Sequence, residues 1–480
     1  MKILSILILF LTSFFIRMLR WFSIIQQKEY RFDRLMLFIK TTQGQRELIR
    51  LIPKKSDFSR TGLKRPKITM RILVIALTFF ILSFLFFGSA VIKLASFSAS
   101  DFMPYLFLGL FLTPLIYLFI IPVILFISIL PTVFISSIRV FIELFRAKAK
   151  VKKQNPIIIG ITGSYGKTST KIVLAKVLEK KYSVFKTPKS FNTKFSVARS
   201  INKGFKNQEI MILEYAAYKV GEIKTLASWF KPNLAVITGF AKQHLGLFGS
   251  IEAVIKAKAE LIKPLNSGST VICNGDDKGA VKICEVGVGL NSTANGNLKV
   301  IEANNTHEDS HIIKAGLNKM GKLFFVWKGQ LVNTNFMGMH YLEIIRMVIL
   351  VAKKFELSDK EIVYALSNFI PDDKFVFSYK LASGNFVIDD GGTSNPKGFE
   401  AAIKLASKVE ASKKILISSG IVDLGSESEI IHEELARQAV QVFETVLYVG
   451  ESGSAQFSKV FGKKFINDQG ADKLLTRVYR

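Results

Sequence analysis

The segment GITGSYGKTSTK, residues 160–171, is the strongest sequence signal for the fold of the larger part of this chain. It follows the apolar run PIIIGIT and precedes a helical segment, so we expect a turn between a buried strand and a helix. Gly163 and Gly166 allow backbone N–H groups to face phosphate oxygens. Lys167 supplies a charge for the β- and γ-phosphates, and the hydroxyl of Thr168 suits Mg²⁺. The stretch predicts a nucleotide phosphate loop, with a glycine-rich helix cap as the alternative.

Short β-rich runs alternate with amphipathic helices from residue 155 onward. The runs after the phosphate loop are EIMILEY, NLAVITGF, STVICN, FVIDD, KILISSG and TVLYVG. This alternation is typical of a mostly parallel sheet covered by helices, with functional residues at the carboxyl ends of the strands. We therefore predict an α/β fold, with a P-loop parallel-sheet ATPase domain at residues 153–370 and a smaller Rossmann-like α/β domain at residues 371–480.

The amino-terminal part differs in composition. The 480 residues carry 66 Lys and Arg against 37 Asp and Glu, and residues 1–155 alone hold 23 Lys and Arg and 6 Asp and Glu. Because these basic residues flank long apolar runs, we attribute them to membrane topology and predict no nucleic-acid partner. Cys273 and Cys284 lack a second pair for a zinc site and suit a reducing compartment.

Residues 1–152 are therefore predicted to form a membrane region with transmembrane helices. The spans are expected at about residues 70–92 and 103–125, with residues 3–22 as a further candidate. The prolines at 114, 122 and 131 predict a kinked or interfacial segment after the second span. For the first stretch, a retained anchor or interfacial helix is favoured over a cleaved signal peptide.

Loop charges set the orientation of this region. Residues 27–71 hold 13 Lys and Arg against 4 Asp and Glu, and a basic segment follows the last apolar run. Both stretches should face the cytoplasm. We predict a multi-pass protein of the cell (inner, cytoplasmic) membrane, with membrane lipid as a partner and the catalytic domains in the cytoplasm.

The form T-G-S-x-G-K-T-S-x-K resembles the phosphate loop of the muramyl ligase family, ATP-dependent ligases that add amino acids to peptidoglycan precursors. Further segments resemble that family in the same order. They are TPKSFN at 187–192, LEYAAYKVGEI at 213–223, QHLGLFGSIEAVIKAKAELI at 243–262, NGD at 274–276, GMH at 338–340 and IDDGGTSNP at 388–396. The last is similar to I-D-D-x-Y-N-A-N-P of the branch that adds D-alanyl-D-alanine.

The resemblance implies ATP and Mg²⁺ as cofactors and assigns roles to particular residues. The catalytic residues would be Lys167, His244 and Lys258, the last of them carbamylated. The nucleotide would be bound by Gly163, Ser164, Gly166, Lys167, Thr168, Ser169, Asn274 and Asp276. The metal would be bound by Thr168, Glu214 and His244. The substrates would be bound by Asn192, Asp389, Asp390 and Asn395.

Each of these roles has a simpler alternative in the sequence itself. Glu214 could be a strand-end carboxylate in solvent, and His244 a loop histidine, since imidazole is not a preferred Mg²⁺ ligand. Lys258 is one of several lysines on an expected exposed helix face, where Lys256 competes for the role. Asn192 could be a turn asparagine. The other histidines are predicted to be surface or capping residues, namely His307, His311 and His432.

Several positions depart from the family pattern. Tyr341 replaces the Asn of G-x-H-N, Asp373-Lys374 stands where Gly-Arg is usual, Gly392-Thr393 replaces Tyr-Asn, and Ser196 and Ala198 replace a Gly and a Pro. The family's amino-terminal UDP-sugar domain has no counterpart, and a Lys-Gly-Ser strand is expected beyond Arg480, which would leave the last domain incomplete. These departures make nucleotide binding better supported than the identity of the added amino acid.

The predicted function is a membrane-anchored ATP-dependent, ADP-forming acid–amino-acid ligase in peptidoglycan precursor synthesis. It would phosphorylate a carboxylate acceptor, a muramyl peptide or a lipid-linked precursor, and join an amino acid or D-alanyl-D-alanine to it. One alternative is a ligase that builds γ-linked polyglutamate. The other is a membrane scaffold that binds nucleotide without catalysis.

Overall fold

The computed structural model describes residues 2–50, 65–95, 99–241, 248–291, 297–372, 375–391, 395–421, 424 and 427–467. Its helices are Lys2–Gln27, Phe32–Lys40, Thr42–Leu48, Met70–Ala95, Ala99–Gln154, Lys167–Leu178, Lys194–Gly204, Glu222–Trp229, Ile251–Ala259, Lys278–Leu290, Tyr341–Lys354, Asp359–Ser367, Pro396–Lys408, Ser428–Val440 and Ser454–Phe461. Its strands β1–β14 are Ile157–Thr162, Val184–Lys186, Ile210–Glu214, Leu234–Ile237, Thr270–Asn274, Lys299–Ala303, Ile312–Leu317, Lys322–Trp327, Gln330–Met337, Phe377–Lys380, Phe386–Asp389, Ile415–Ser418, Thr445–Tyr448 and Phe465–Asn467. The chain divides into two compact units, Met1–Ile142 and Glu143–Arg480.

A six-stranded parallel sheet is the centre of the second unit. Its strand order is β2-β3-β1-β4-β5-β6, so β1 lies between β3 and β4. Strands such as IMILE and LAVI are buried along their whole length, as expected where helices cover both faces of a parallel sheet. The chain leaves β1 toward β2 and β3 on one side and later returns to β4 on the other. The carboxyl end of β1 is therefore the switch point at which ligands bind in such sheets.

Two helices from distant parts of the chain pack on this sheet. Lys167–Leu178 follows β1 directly, and Tyr341–Lys354 packs against it. Their apolar side chains share one buried cluster with the antiparallel sheet β7-β8-β9, which contributes the fully buried Trp327. This shared core fixes the start of both helices beside the carboxyl end of β1.

The carboxy-terminal part has a smaller sheet of its own. Strands β12, β13 and β14 are parallel, and β10 and β11 form an antiparallel hairpin. Helices Ser428–Val440 and Ser454–Phe461 bury Leu435 and Phe457 in a separate cluster. The α/β fold with a parallel sheet is confirmed, whereas the boundaries at residues 153 and 371 stay predictions.

The first unit is helical and has its own apolar cluster, which includes Trp21, Phe22 and Phe79. Within the described residues, Pro122–Gln154 is long and apolar enough to cross a membrane, and Met70–Leu85 is a shorter apolar helix. The helix Ala99–Gln154 runs without a break through the three prolines. Each proline removes one N–H donor from the helix. Several membrane spans therefore stay a prediction.

Candidate active site

The phosphate loop lies at the carboxyl end of β1, and its glycines are required by the backbone. Gly163 has φ 156°, and a Cβ there would lie 2.1 Å from Thr238 Oγ1. Gly166 has φ 78°, a left-handed conformation that favours glycine. Ser164 anchors the loop, because its N donates to Gly239 O at 2.7 Å and its Oγ donates to Ala241 O at 3.0 Å. The helix that starts at Lys167 directs its first N–H groups to this loop.

Two lysines converge on one carbonyl of the loop. Lys167 Nζ donates to Gly163 O at 2.7 Å, and Lys258 Nζ donates to the same oxygen at 2.9 Å. Burial lowers the pKa of Lys167. Burial and the neighbouring charge of Lys167 lower the pKa of Lys258 well below its usual value. The expected exposed position of Lys258 is wrong: its side chain is buried, whereas Lys256 is exposed.

The reason is the orientation of helix Ile251–Ala259. Its buried positions are Val254, Ala257, Lys258 and Ala259, so Lys258 belongs to the face that packs inward. Lys256, two residues earlier, points away from that face because residues two apart lie on different sides of a helix. The structure therefore brings Lys258, and not Lys256, to the phosphate loop.

A hydroxyl and a carboxylate meet beside the loop, where a metal ion is expected. Thr168 Oγ1 lies 3.2 Å from Glu214 Oε2 and 3.1 Å from Ser190 Oγ. Glu214 ends β3 and is fully buried, and its Oε1 lies 2.6 Å from Nζ of the equally buried Lys171. The alternative of a solvent-exposed strand end is therefore wrong for Glu214.

These two oxygen donors fit Mg²⁺, which usually takes one or two protein ligands together with phosphate oxygens and water. Among the described residues, no group of three or more His, Cys, Asp or Glu side chains could hold a metal ion. His244 lies outside the described residues, so its predicted role as a metal ligand stays a prediction. Ser169, the third residue of the helix, is half-buried.

The predicted nucleotide-binding residues Asn274 and Asp276 contact other protein groups. Asn274 is fully buried and donates to Thr238 O at 2.9 Å and to Glu343 Oε2 at 2.7 Å. Asp276 forms an ion pair with Arg346, whose Nη2 also donates to Asn305 Oδ1 at 3.0 Å. Asn274 therefore ties the end of β5 to the end of β4 and to helix Tyr341–Lys354, whereas Asp276 is exposed.

A cluster that the sequence did not reveal lies next to the loop. It consists of Tyr165, Asp277, Glu343 and Lys397, and we call it the tyrosine cluster. Tyr165 Oη donates to Asp277 Oδ2 at 2.6 Å and lies 3.2 Å from Glu343 Oε2. Lys397 Nζ donates to Tyr165 Oη at 3.1 Å and pairs with Asp277. These residues are too far apart in sequence for any spacing to have joined them.

The cluster is only partly open to solvent, which changes its ionisation. Burial alone would raise the pKa of Asp277, but hydrogen bonds from Lys397, Tyr165 and the Ala280 amide lower it. Burial raises the pKa of Glu343, and a hydrogen bond from Asn274 opposes that change only in part. Burial raises the pKa of Tyr165, whose phenol is neutral at physiological pH.

The predicted substrate residues are less tightly enclosed. Asn192 is half-buried in the turn before helix Lys194–Gly204. Asp389 and Asp390 are half-exposed at the end of β11, where Asp389 Oδ1 accepts from the Gly391 amide at 2.8 Å. Asn395 is buried and caps helix Pro396–Lys408, its Oδ1 accepting from the Gly398 amide at 2.9 Å. Substrate binding by these residues stays a prediction.

His340 of the G-x-H segment and the following Tyr341 have structural contacts. Burial lowers the pKa of His340 to about 4, and its ring lies 4.2 Å from that of Tyr341. The hydroxyl of Tyr341, which replaces the family's Asn, accepts from the Val376 amide at 2.9 Å. The replacement thus ties the start of helix Tyr341–Lys354 to the segment that leads into β10.

The expectation for His432 is wrong. It is fully buried: Nδ1 donates to Ser428 O at 2.6 Å, and Nε2 accepts from the Ile421 amide at 3.0 Å. A Cβ at Gly453 would lie 2.1 Å from its ring. The histidine therefore joins two loops of the carboxy-terminal part, which a single helix position could not reveal.

The sequence of this chain is similar to a family model and to characterised proteins. A family model described as "Mur ligase middle domain" matches residues 161–352. A UDP-N-acetylmuramoyl-tripeptide--D-alanyl-D-alanine ligase of Bacillus subtilis (strain 168) is 29% identical over 292 residues, which cover 60% of this chain and 61% of that relative. A ligase of the same name from Mycobacterium tuberculosis (strain CDC 1551 / Oshkosh) is 27% identical, covering 67% of this chain and 65% of that relative. The chain thus spans less than two thirds of the length of either relative.

Solved structures share the fold. MurF from Acinetobacter baumannii superposes with a TM-score of 0.61 at 20% sequence identity, covering 70% of this chain and 72% of that one. MurF ligase from Thermotoga maritima in complex with ADP superposes with a TM-score of 0.60 at 24% identity, covering 71% of this chain and 78% of that one. The resemblance that the motifs indicated is confirmed.

Proposed function

We propose that this chain is an ATP-dependent, ADP-forming amide ligase of peptidoglycan precursor synthesis. Two findings support this proposal: residues 161–352 match a Mur ligase middle domain, and the chain is similar to D-alanyl-D-alanine-adding ligases. Its substrates would be a carboxylate acceptor of the muramyl-peptide kind and an amino acid or D-alanyl-D-alanine. One observation carries the proposal: Lys167 and Lys258 converge on Gly163 O. The Thr168–Glu214 pair lies beside the same loop.

The first step needs a place for phosphate charge. The N–H groups at the start of helix Lys167–Leu178 face the loop, and Lys167 adds a cation there. When bound, Mg²⁺ would be held by Thr168 and Glu214 and would supply further charge neutralisation at the phosphates. An acceptor carboxylate oxygen then bonds to the γ-phosphorus, ADP leaves, and an acyl phosphate forms.

The second step joins the amine. The amine nitrogen attacks the acyl carbon, phosphate leaves with the electrons of the C–O bond, and the nitrogen loses a proton as the amide forms. The Asp389 and Asp390 carboxylates are half-exposed and suited to an incoming ammonium group. We propose that they hold the amine component.

The chemistry of Lys258 deepens this picture. An amine must be neutral to react with CO₂, and burial together with Lys167 favours the neutral form of Lys258. We propose that Lys258 is carbamylated in the active protein. Bicarbonate should then stimulate turnover of the purified enzyme, and Lys258→Ala should abolish that stimulation, with the exposed Lys256→Ala as the control. Equal stimulation of both variants would oppose the modification.

The proposal also includes the cellular location of the protein. The helix Pro122–Gln154 has the length and apolar composition of a membrane span. Its carboxyl end carries Lys152 and Lys153, and basic residues beside a span are typical of its cytoplasmic side. We propose that the site works at the cytoplasmic membrane surface, where a lipid-linked acceptor would be within reach. Membrane fractionation with and without residues 1–142 tests this location.

The decisive experiment measures ADP and phosphate release by the detergent-solubilised full chain. Reactions contain Mg²⁺, ATP, panels of muramyl-peptide and lipid-linked acceptors, and amino acids or D-alanyl-D-alanine. Release that needs both a carboxylate and an amine is the expected result. Release that needs only glutamate would indicate a polyglutamate ligase. Nucleotide binding with no stimulated release would indicate a non-catalytic scaffold.

A further inference from the structure

Lys397 brings the carboxy-terminal part of the chain into direct contact with the phosphate loop. It is separated from Tyr165 by 232 residues, yet its Nζ donates to Tyr165 Oη at 3.1 Å and lies 5.0 Å from the centre of that ring. Its position is well defined, because Asn395 caps helix Pro396–Lys408 and Pro396 occupies the first turn. The contact is therefore made from a fixed point on the helix.

The partner carboxylate is also fixed. Asp277 is 4% exposed, and its Oδ1 caps helix Lys278–Leu290 by accepting from the Ala280 amide at 2.9 Å. Its Oδ2 accepts from Tyr165, from Lys397 and, at 3.3 Å, from the Phe240 amide. Lys397 supplies the positive charge for a carboxylate that is otherwise nearly excluded from water.

Tyr165 carries this contact into the loop itself, since it lies between Ser164 and Gly166. Its carbonyl oxygen accepts from Thr238 Oγ1. Its ring packs on Gly239, where a Cβ would lie 2.3 Å from the ring. A displacement of the Tyr165 side chain would therefore displace the phosphate loop.

We propose that Lys397 is a positioning residue that couples the carboxy-terminal part to the nucleotide phosphate loop. By holding Tyr165 against Asp277, it keeps the loop in its phosphate-binding conformation and raises the affinity for the phosphates of a nucleotide. The effect on affinity rests on the proposed function, whereas the effect on the loop itself does not. Two measurements on the full chain therefore separate them.

The first measurement is amide hydrogen exchange of the nucleotide-free protein. In Lys397→Ala, peptides containing residues 163–166 should exchange at least about threefold faster than in wild type, because the local opening free energy falls. Lys404→Ala is the matched control, since Lys404 is an exposed lysine on the same helix. Equal exchange in the two variants would overturn the proposal, whether or not the protein binds nucleotide.

The second measurement is calorimetric titration with Mg·ADP. Lys397→Ala should weaken binding about three- to tenfold, roughly 0.7–1.4 kcal/mol, while Lys397→Arg should restore most of the affinity. In an Asp277→Asn background, which keeps a helix-capping side chain, the further effect of Lys397→Ala should vanish. A full effect in that background would contradict the coupling. If wild type binds no Mg·ADP, the proposed function fails and hydrogen exchange alone decides the role of Lys397.

Discussion

The end of the six-stranded sheet and the end of the β10–β11 hairpin both present charged side chains, but in different surroundings. Lys258 and Glu214 at the first place are buried and bonded to the loop or to a neighbouring charge. Asp389 at the second is half-exposed, and its described contact is a local one to Gly391. The first place has a fixed charge arrangement suited to phosphate chemistry. At the second place Asp389 is partly accessible to solvent.

The largest expected effect on ADP release is at the end of the six-stranded sheet. Lys167→Ala should lower acceptor-dependent ADP release at least ~100-fold, because in the proposed function its charge stabilises the transferred phosphoryl group. Lys176→Ala is the control, since Lys176 is exposed on the same helix. Steady-state kinetics of ADP release measures both. Equal rates of ADP release in the two variants would contradict a role for Lys167 in phosphate chemistry.

A second change separates charge pairing from metal binding. Glu214→Gln should remove most turnover and lower the free energy of unfolding by ~3 kcal/mol, because the buried Lys171 loses its carboxylate partner. The double variant Glu214→Gln, Lys171→Met should recover stability without recovering turnover. Denaturant unfolding and ADP release are the two measurements. Recovery of both stability and turnover in the double variant would contradict metal binding by Glu214.

Substitution at the end of the β10–β11 hairpin should affect a different kinetic constant. Asp389→Asn should raise KM for the amine substrate about tenfold and leave the Kd of Mg·ADP unchanged, because we propose that Asp389 holds the amine and not the nucleotide. Glu410→Gln, an exposed carboxylate of the same part of the chain, is the control. A rise in the Kd of Mg·ADP would show that the end of the β10–β11 hairpin also contributes to nucleotide binding.

The smallest effect concerns His340. Its pKa is about 4 in the folded protein against a usual value near 6.5. The unfolded chain takes up the proton first, so stability is full above about pH 6.5 and declines as the pH falls toward about 4, by on the order of 1–3 kcal/mol. His340→Gln should flatten this decline, whereas the exposed His311→Gln should keep it. Thermal unfolding across this pH range is the measurement.

Much of the fold could be predicted because its signals are local. The glycines of residues 160–171 and the buried runs such as LAVI identify a strand, a loop and a helix without knowledge of distant contacts. The prolines of the long apolar run are a different kind of local signal. They predict a kinked or interfacial segment, which stays a prediction, and the structure has one continuous helix there.

The contacts that complete the site could not be predicted in this way. Lys258 looked exposed because helical spacing does not show which face packs inward. His432 looked like a surface residue because its two loop partners are not on its own helix. The tyrosine cluster joins residues from four segments, and no single segment carries its pattern.

Residue types at short and fixed spacings were sufficient to predict the phosphate loop, the parallel-sheet class and the family resemblance. The folded chain was needed to show that Lys167 and Lys258 share one carbonyl, that Glu214 is paired with Lys171, and that Lys397 reaches Tyr165. Those contacts depend on how strands and helices far apart in the chain pack around one core. Burial then sets their ionisation, since it removes the water that would otherwise stabilise each charge.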